Sequence, residues 1–269
     1  MQGRNFAKRA RKSLAVAMLF GGLVLPLAAQ AEAPKVPCDL PLDLLRLANP
    51  LSRVGQKLIT GEPITIVAMG SSSTWGAGAS SPAANYPNQL ALDLKARFPT
   101  HAFTVLNAGV GGEEVGDMIK RFDTAVVAVK PDLVLWQLGT NSVIRDQKIG
   151  AHDATIREGL KKIRSVGADV VLIDPQFVPR VIAKPDAERM VEMISMTAKQ
   201  EDVDLFRRYE VMKRWSVVDK MPFETFTAPD GLHLNDWSYA CMAKGLGMVI
   251  AEAAQRPVMS ATARSPKVP

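Results

Sequence analysis

Five short apolar runs, each separated from the next by a stretch with helical spacing, limit what this chain can become. They are Ile64–Met69, Ala102–Asn107, Leu133–Leu138, Asp169–Asp174 and the weaker Val203–Phe206. Short runs rich in Val, Ile and Leu read as strands buried on both faces. Between them, apolar residues recur every third or fourth position. The stripes are Tyr86, Leu90, Leu94 and Phe98; Val115, Met118, Ile119 and Phe122; Ile156, Leu160 and Ile163; and Met190, Met193, Ile194 and Thr197. A stripe from Leu42 to Leu58, interrupted by Pro50, precedes the first run. A last helix spans Trp237 to Ala254. Strands alternating with helices predict a parallel sheet covered on both sides, an α/β architecture. No internal repeat or interdomain linker divides it.

In such a sheet, chemistry sits beyond the carboxyl ends of the strands. The residues that follow each run therefore carry the information. Gly70-Ser71-Ser72-Ser73-Thr74-Trp75-Gly76 follows the first. Asn107-Ala108-Gly109-Val110-Gly111-Gly112 closes the second, and Gly139-Thr140-Asn141 follows the third. Asp230-Gly231-Leu232-His233 precedes the last helix. Acyl transfer to water needs a nucleophile, a base to take its proton and donors for the oxyanion. These four stretches supply all three, at ends that can reach one edge of the sheet.

In this order, the four stretches resemble the conserved blocks of the SGNH (GDSL-type) hydrolases, and they extend from residue 70 to residue 233. The resemblance implies a three-layer α/β/α, flavodoxin-like fold with a mostly parallel five-stranded sheet. It implies ester hydrolysis without metal or organic cofactor. Carried over, Ser72 is the nucleophile, His233 the general base and then acid, and Asp230 the residue that orients the imidazole. The N–H groups of Ser72 and Gly112 and the Asn141 amide form the oxyanion hole. Two positions depart from the family pattern: Ser71 stands where Asp is usual before the nucleophile, and Ser142 where Asp often follows the Asn.

Trp75, Gln176 and Phe177 are expected to wall the substrate pocket, and Trp136 to lie in the core. His101 precedes a strand with no acid at useful spacing, and His152, beside Asp153 at a helix start, reads as a cap neighbour and not a catalyst. The expected reaction is hydrolysis of short acyl esters, acetyl foremost, on a small molecule or glycan, through an acyl-enzyme. A lysophospholipase or thioesterase of the same family is the alternative, as is a catalytically silent glycan-binding protein. A dinucleotide site is disfavoured, since Gly109-Val110-Gly111-Gly112 lacks the third spaced glycine.

The first 31 residues read as a signal peptide cut after Ala31. Arg4, Lys8, Arg9, Arg11 and Lys12 precede an apolar run from Leu14 to Ala29, and Ala29-Gln30-Ala31 is a small-x-small site. Without it, 28 of the 33 Lys and Arg remain against 27 Asp and Glu, so the apparent basicity belongs to export and not to nucleic acid. The expected location is periplasmic or secreted, with no membrane span after cleavage. Residues 32–255 are expected to form one hydrolase domain, and 256–269 a disordered tail. In that compartment Cys38 and Cys241 are expected to form a disulfide, the alternative being two buried thiols. Two distant cysteines and three scattered histidines lack metal-ligand spacing.

Overall fold

The structure, a computed structural model, describes residues 37–256. The expected signal peptide and all but the first residue of the expected tail lie outside the described residues. Arg256, at the head of that tail, is held: its guanidinium donates to Glu252 and to the carbonyl oxygens of Leu47 and Ala48.

Five parallel strands form one sheet: β1 (Ile64–Gly70), β2 (Phe103–Gly109), β3 (Leu133–Gln137), β4 (Asp169–Ile173) and β5 (Asp204–Phe206). Their order is β2-β1-β3-β4-β5. β1 and β3 are central and almost wholly buried, as their unbroken apolar runs require. β2 is an edge strand and shows the half-exposed alternation of one. It runs two residues beyond the expected Asn107, because its pairing with β1 continues to Gly70↔Gly109.

Among the described residues, α1 (Leu42–Leu45) and α2 (Ser52–Thr60) precede the sheet. α3 (Ser72–Trp75) and α4 (Tyr86–Arg97) join β1 to β2. α5 (Val115–Lys120) leads from β2 toward β3, and α6 (Thr140–Ile144) and α7 (Gly150–Ser165) from β3 to β4. α8 (Pro179–Ile182) and α9 (Ala187–Gln200) precede β5, and α10 (Arg208–Val217) and α11 (Asp236–Ala254) complete the order. Helices α2, α4 and α11 pack together on one face of the sheet, and α5, α7 and α9 on the other, giving three layers. After α5 the chain widens into a π-helical turn, Asp123–Val127, before β3.

Three aspartates fasten the amino end of the sheet. Asp132 accepts from the Thr65 N–H and pairs with Arg53 and Lys57. Asp169 accepts from the N–H groups of Arg53 and Val54 in the first turn of α2, where a helix has donors to spare. Asp204 accepts from Ala48 and Asn49. Cys38 and Cys241 are joined, with Cα atoms 5.6 Å apart, so the segment before α1 is bound to α11.

From β1 the chain moves outward to β2, then crosses back to β3 on the other side. The topological switch point therefore lies at the carboxyl end of β1, the usual place for a ligand in an open α/β sheet.

Candidate active site

β1 ends at Gly70, and the next residues wind into the single turn α3, which Gly76 stops at φ 109°. Gly70 must lack a side chain, since a Cβ there would fall 2.2 Å from Thr74 Oγ1 and 2.9 Å from Gln137 Oε1. That Gln137 oxygen holds the turn. It accepts from the Ser71 N–H and hydroxyl, at 3.0 Å each, and from Thr74 Oγ1 at 3.3 Å. Ser72 is left half-buried at the head of α3.

The loop 226–235 approaches from the other end of the chain. It is a narrow hairpin closed by the Thr227↔Leu234 bridge, with the Ala228 N–H donating to the His233 carbonyl. Asp230 Oδ1 accepts from the N–H groups of Leu232 and His233, at 3.0 and 2.9 Å. Asp230 Oδ2 lies 2.5 Å from His233 Nδ1, and His233 Nε2 lies 2.9 Å from Ser72 Oγ. With Nδ1 donating to the carboxylate, Nε2 is the acceptor that faces the serine hydroxyl. Partial burial works to raise the Asp230 carboxyl, but the two backbone N–H groups and the His233 ring outweigh it and bring it down to about 2. Asp230 is thus a fixed negative charge behind the imidazole.

The loops after β2 and β3 flank this pair, because both strands border β1. Gly112 sits at φ 80°, a conformation that favours glycine. As the first residue of α3, Ser72 has an N–H without an intrahelical acceptor, and no hydrogen bond among the described residues engages the Gly112 N–H. The Asn141 amide donates one hydrogen to the Glu113 carbonyl at 2.8 Å. This bond ties the β3 loop to the β2 loop across the mouth of β1, and the second amide hydrogen has no partner among the described residues.

Two residues that frame the site were not singled out in the sequence. Gln137 is one. The other is Arg121, which donates to the carbonyl oxygens of Gly70 and Ala108, at 3.3 and 2.7 Å, and pairs with Glu113 at 2.6 Å. It clamps the ends of β1 and β2 to the glycine loop. A polar residue closing an otherwise apolar strand was the available signal for Gln137; Arg121 left none.

Two expected pocket walls are elsewhere. Gln176 is fully buried, accepting from Thr140 Oγ1 at 2.9 Å and donating to the Leu232 carbonyl at 3.1 Å. It is a strut between the β3 loop and the histidine loop. Phe177 packs edge-on against Tyr209 and stacks near Phe223. Both follow β4, which lies two strands from β1. Trp75 is exposed beside the nucleophile turn, and Trp136 is buried against Phe122. His152 is buried in α7 and His101 Nε2 faces the Leu58 carbonyl; among the described residues neither bonds to Ser72, Asp230 or His233. Among the described residues no group of three or more His, Cys, Asp or Glu side chains is placed to hold a metal ion.

A model of the non-GDSL lipase-like family matches residues 37–256. The chain belongs to that family. The family's description agrees with the first block, where Ser71 replaces the usual Asp. An acetylxylan esterase of Geobacillus stearothermophilus is 26% identical to this family member over 95 residues, which cover 32% of this chain and 43% of that protein. A two-domain esterase active on acetylated mannans superposes with a TM-score of 0.67 at 21% identity, covering 81% of this chain and 59% of the other. A lipase/acylhydrolase from Enterococcus faecalis gives 0.56 at 20% identity, covering 71% and 95%. The chain thus spans less than two thirds of the acetylxylan esterase and of the mannan esterase. At these identities the solved structures share with it the SGNH hydrolase fold, the α/β sheet described above.

Proposed function

We propose that this protein is an exported serine ester hydrolase that removes short acyl groups, acetyl foremost, through an acyl-enzyme. The observation that carries this reading is the unbroken chain Asp230–His233–Ser72, with contacts of 2.5 and 2.9 Å. His233 Nε2 takes the Ser72 proton as Oγ attacks the ester carbonyl. Asp230 balances the imidazolium that forms. The Ser72 and Gly112 N–H groups and the second Asn141 amide hydrogen receive the charge that develops on the carbonyl oxygen. His233 then passes its proton to the leaving oxygen, and the acyl group stays on Ser72. Water, deprotonated by the same imidazole, repeats the attack and frees the acid. This is the role division of a serine triad, in the order Ser, Asp, His along the chain.

The preference for acetyl rests on the acetylxylan and acetyl-mannan esterases to which the chain is similar. Export rests on the sequence of residues 1–31 and is consistent with the Cys38–Cys241 disulfide, a bond that persists in oxidising compartments.

Assays on p-nitrophenyl esters of increasing chain length test the reading. Acetate should turn over fastest, and Ser72→Ala should fall to background. Asn141→Ala should stay folded and lose roughly 10²–10³ in kcat, the cost of one oxyanion donor. Wild-type rates in Ser72→Ala would refute the mechanism.

A further inference from the structure

The loop after α3 builds a cleft beside the histidine hairpin that the reaction, as described, does not use. Its volume is about 510 Å³, and Trp75, Ser81, Asn88 and Asn107 are among its walls. We propose that this cleft is a carbohydrate subsite that holds the sugar of the leaving group, with the Trp75 indole as its platform; the proposal rests on the ester-hydrolase reading.

Three observations support it. First, Trp75 is 61% exposed although the backbone around it is clamped. Its carbonyl accepts from the Asn85 and Asn107 amides, at 3.3 Å each. The Ala77 carbonyl accepts from Tyr239 Oη at 2.7 Å, and Ser80 is bound by its N–H and hydroxyl to Asp236. An indole held out on a fixed loop is a pre-organised surface, which lowers the ordering cost of whatever lies on it. Second, the rim is polar. Asn88 donates to the Pro82 carbonyl and Asn107 to that of Trp75, but the Asn88 Oδ1, the second Asn107 amide hydrogen and the Ser81 hydroxyl have no partner among the described residues. A pyranose ring has an apolar C–H face for an indole and a ring of hydroxyls for such amides. An acyl chain would cover the indole and leave the amides unmatched. Third, the loop that walls the cleft packs on the histidine hairpin. A Cβ on Gly78 would fall 2.9 Å from His233 Cβ and 2.4 Å from the Leu234 carbonyl oxygen, so this loop backs onto the histidine. On the proposed mechanism His233 delivers the proton to the leaving oxygen, so the half of the ester nearer this hairpin is the alcohol.

The test compares the wild type, Trp75→Ala and Trp75→Phe on acetylated xylo-oligosaccharide, p-nitrophenyl acetate and lysophosphatidylcholine. For Trp75→Ala, the loss in kcat/KM on the oligosaccharide should exceed the loss on the aryl acetate by about tenfold or more, and should appear mainly in KM, as removal of uniform binding does. Trp75→Phe should recover much of it. Equal losses on both substrates, or a selective loss on the lysolipid, would overturn the subsite. Its binding is also read without turnover. Ser72→Ala titrated calorimetrically with xylo- and manno-oligosaccharides should show saturable binding that is lost when Trp75→Ala is added. If the wild type cleaves no ester but this binding is present, the hydrolase reading fails and the subsite stands. If neither sugar binds and the substrate comparison shows no discrimination, the subsite fails.

Discussion

Gln137 carries three donors on one side-chain oxygen, and the nucleophile turn hangs from it. The partners are buried, so removing the acceptor strands the Ser71 N–H and hydroxyl at a cost of roughly 1–3 kcal/mol each, while the Thr74 hydroxyl keeps Tyr86 Oη. Gln137→Ala should therefore lower kcat on p-nitrophenyl acetate about tenfold or more with little change in KM, because Ser72 loses its aim while the binding surface is kept. A fluorophosphonate should label Ser72 more slowly in the same variant. Labelling at the wild-type rate would remove Gln137 from this role. The residues proposed for the chemistry were legible in the sequence, since acyl transfer requires particular side chains at strand ends. That demand pointed to the Ser71–Thr74 turn, and the resemblance to the SGNH blocks singled out Ser72, Asp230 and His233. Gln137 could not, because its task is defined by a partner 66 positions away. Gln176 and Phe177 misled for the opposite reason: they follow a strand, as pocket residues do, but nothing in the sequence says that β4 stands outside β3.

The long elements were equally legible, and the short ones were not. Helices α4, α7, α9 and α11 run long enough to repeat their apolar spacing, whereas α3, α6 and α8 are one-turn pieces with no period to detect. The strand order was also hidden, since β1 sits between β2 and β3 only through the crossover. One long-range tie could be anticipated from two residues: Cys38 bonded to Cys241 at a separation of 203. It pins the incoming chain to α11, whose first turn directly follows the histidine loop. Replacing both cysteines by alanine should cost roughly 2–5 kcal/mol. For a domain of this size that is on the order of 10 °C in Tm. Differential scanning calorimetry of the double variant, against the oxidised wild type, measures it.

Across the whole molecule, stability should depend on pH through a carboxyl remote from the oxyanion site. Asp174, after β4, is fully buried; one oxygen accepts from the Tyr209 N–H and the other has no partner among the described residues. Burial pushes its pKa up to about 7, against the pull of the Tyr209 N–H and of Arg208. The folded protein then holds a proton that the unfolded chain releases near the ordinary carboxyl value of about 3.9. Stability from this group is complete below that value and is lost as pH rises through about 7. Melting curves from pH 4 to pH 8 should show the wild type losing several degrees that Asp174→Asn does not lose. Parallel curves for the two proteins would rule the titration out.

Ser72 and His233 are 161 positions apart, and between them lie four of the five strands. On the proposed mechanism, a chain that stops short of the final hairpin carries the nucleophile and the residues of every strand but lacks its base. Hydrolysis begins only when nearly the whole polypeptide has left the ribosome.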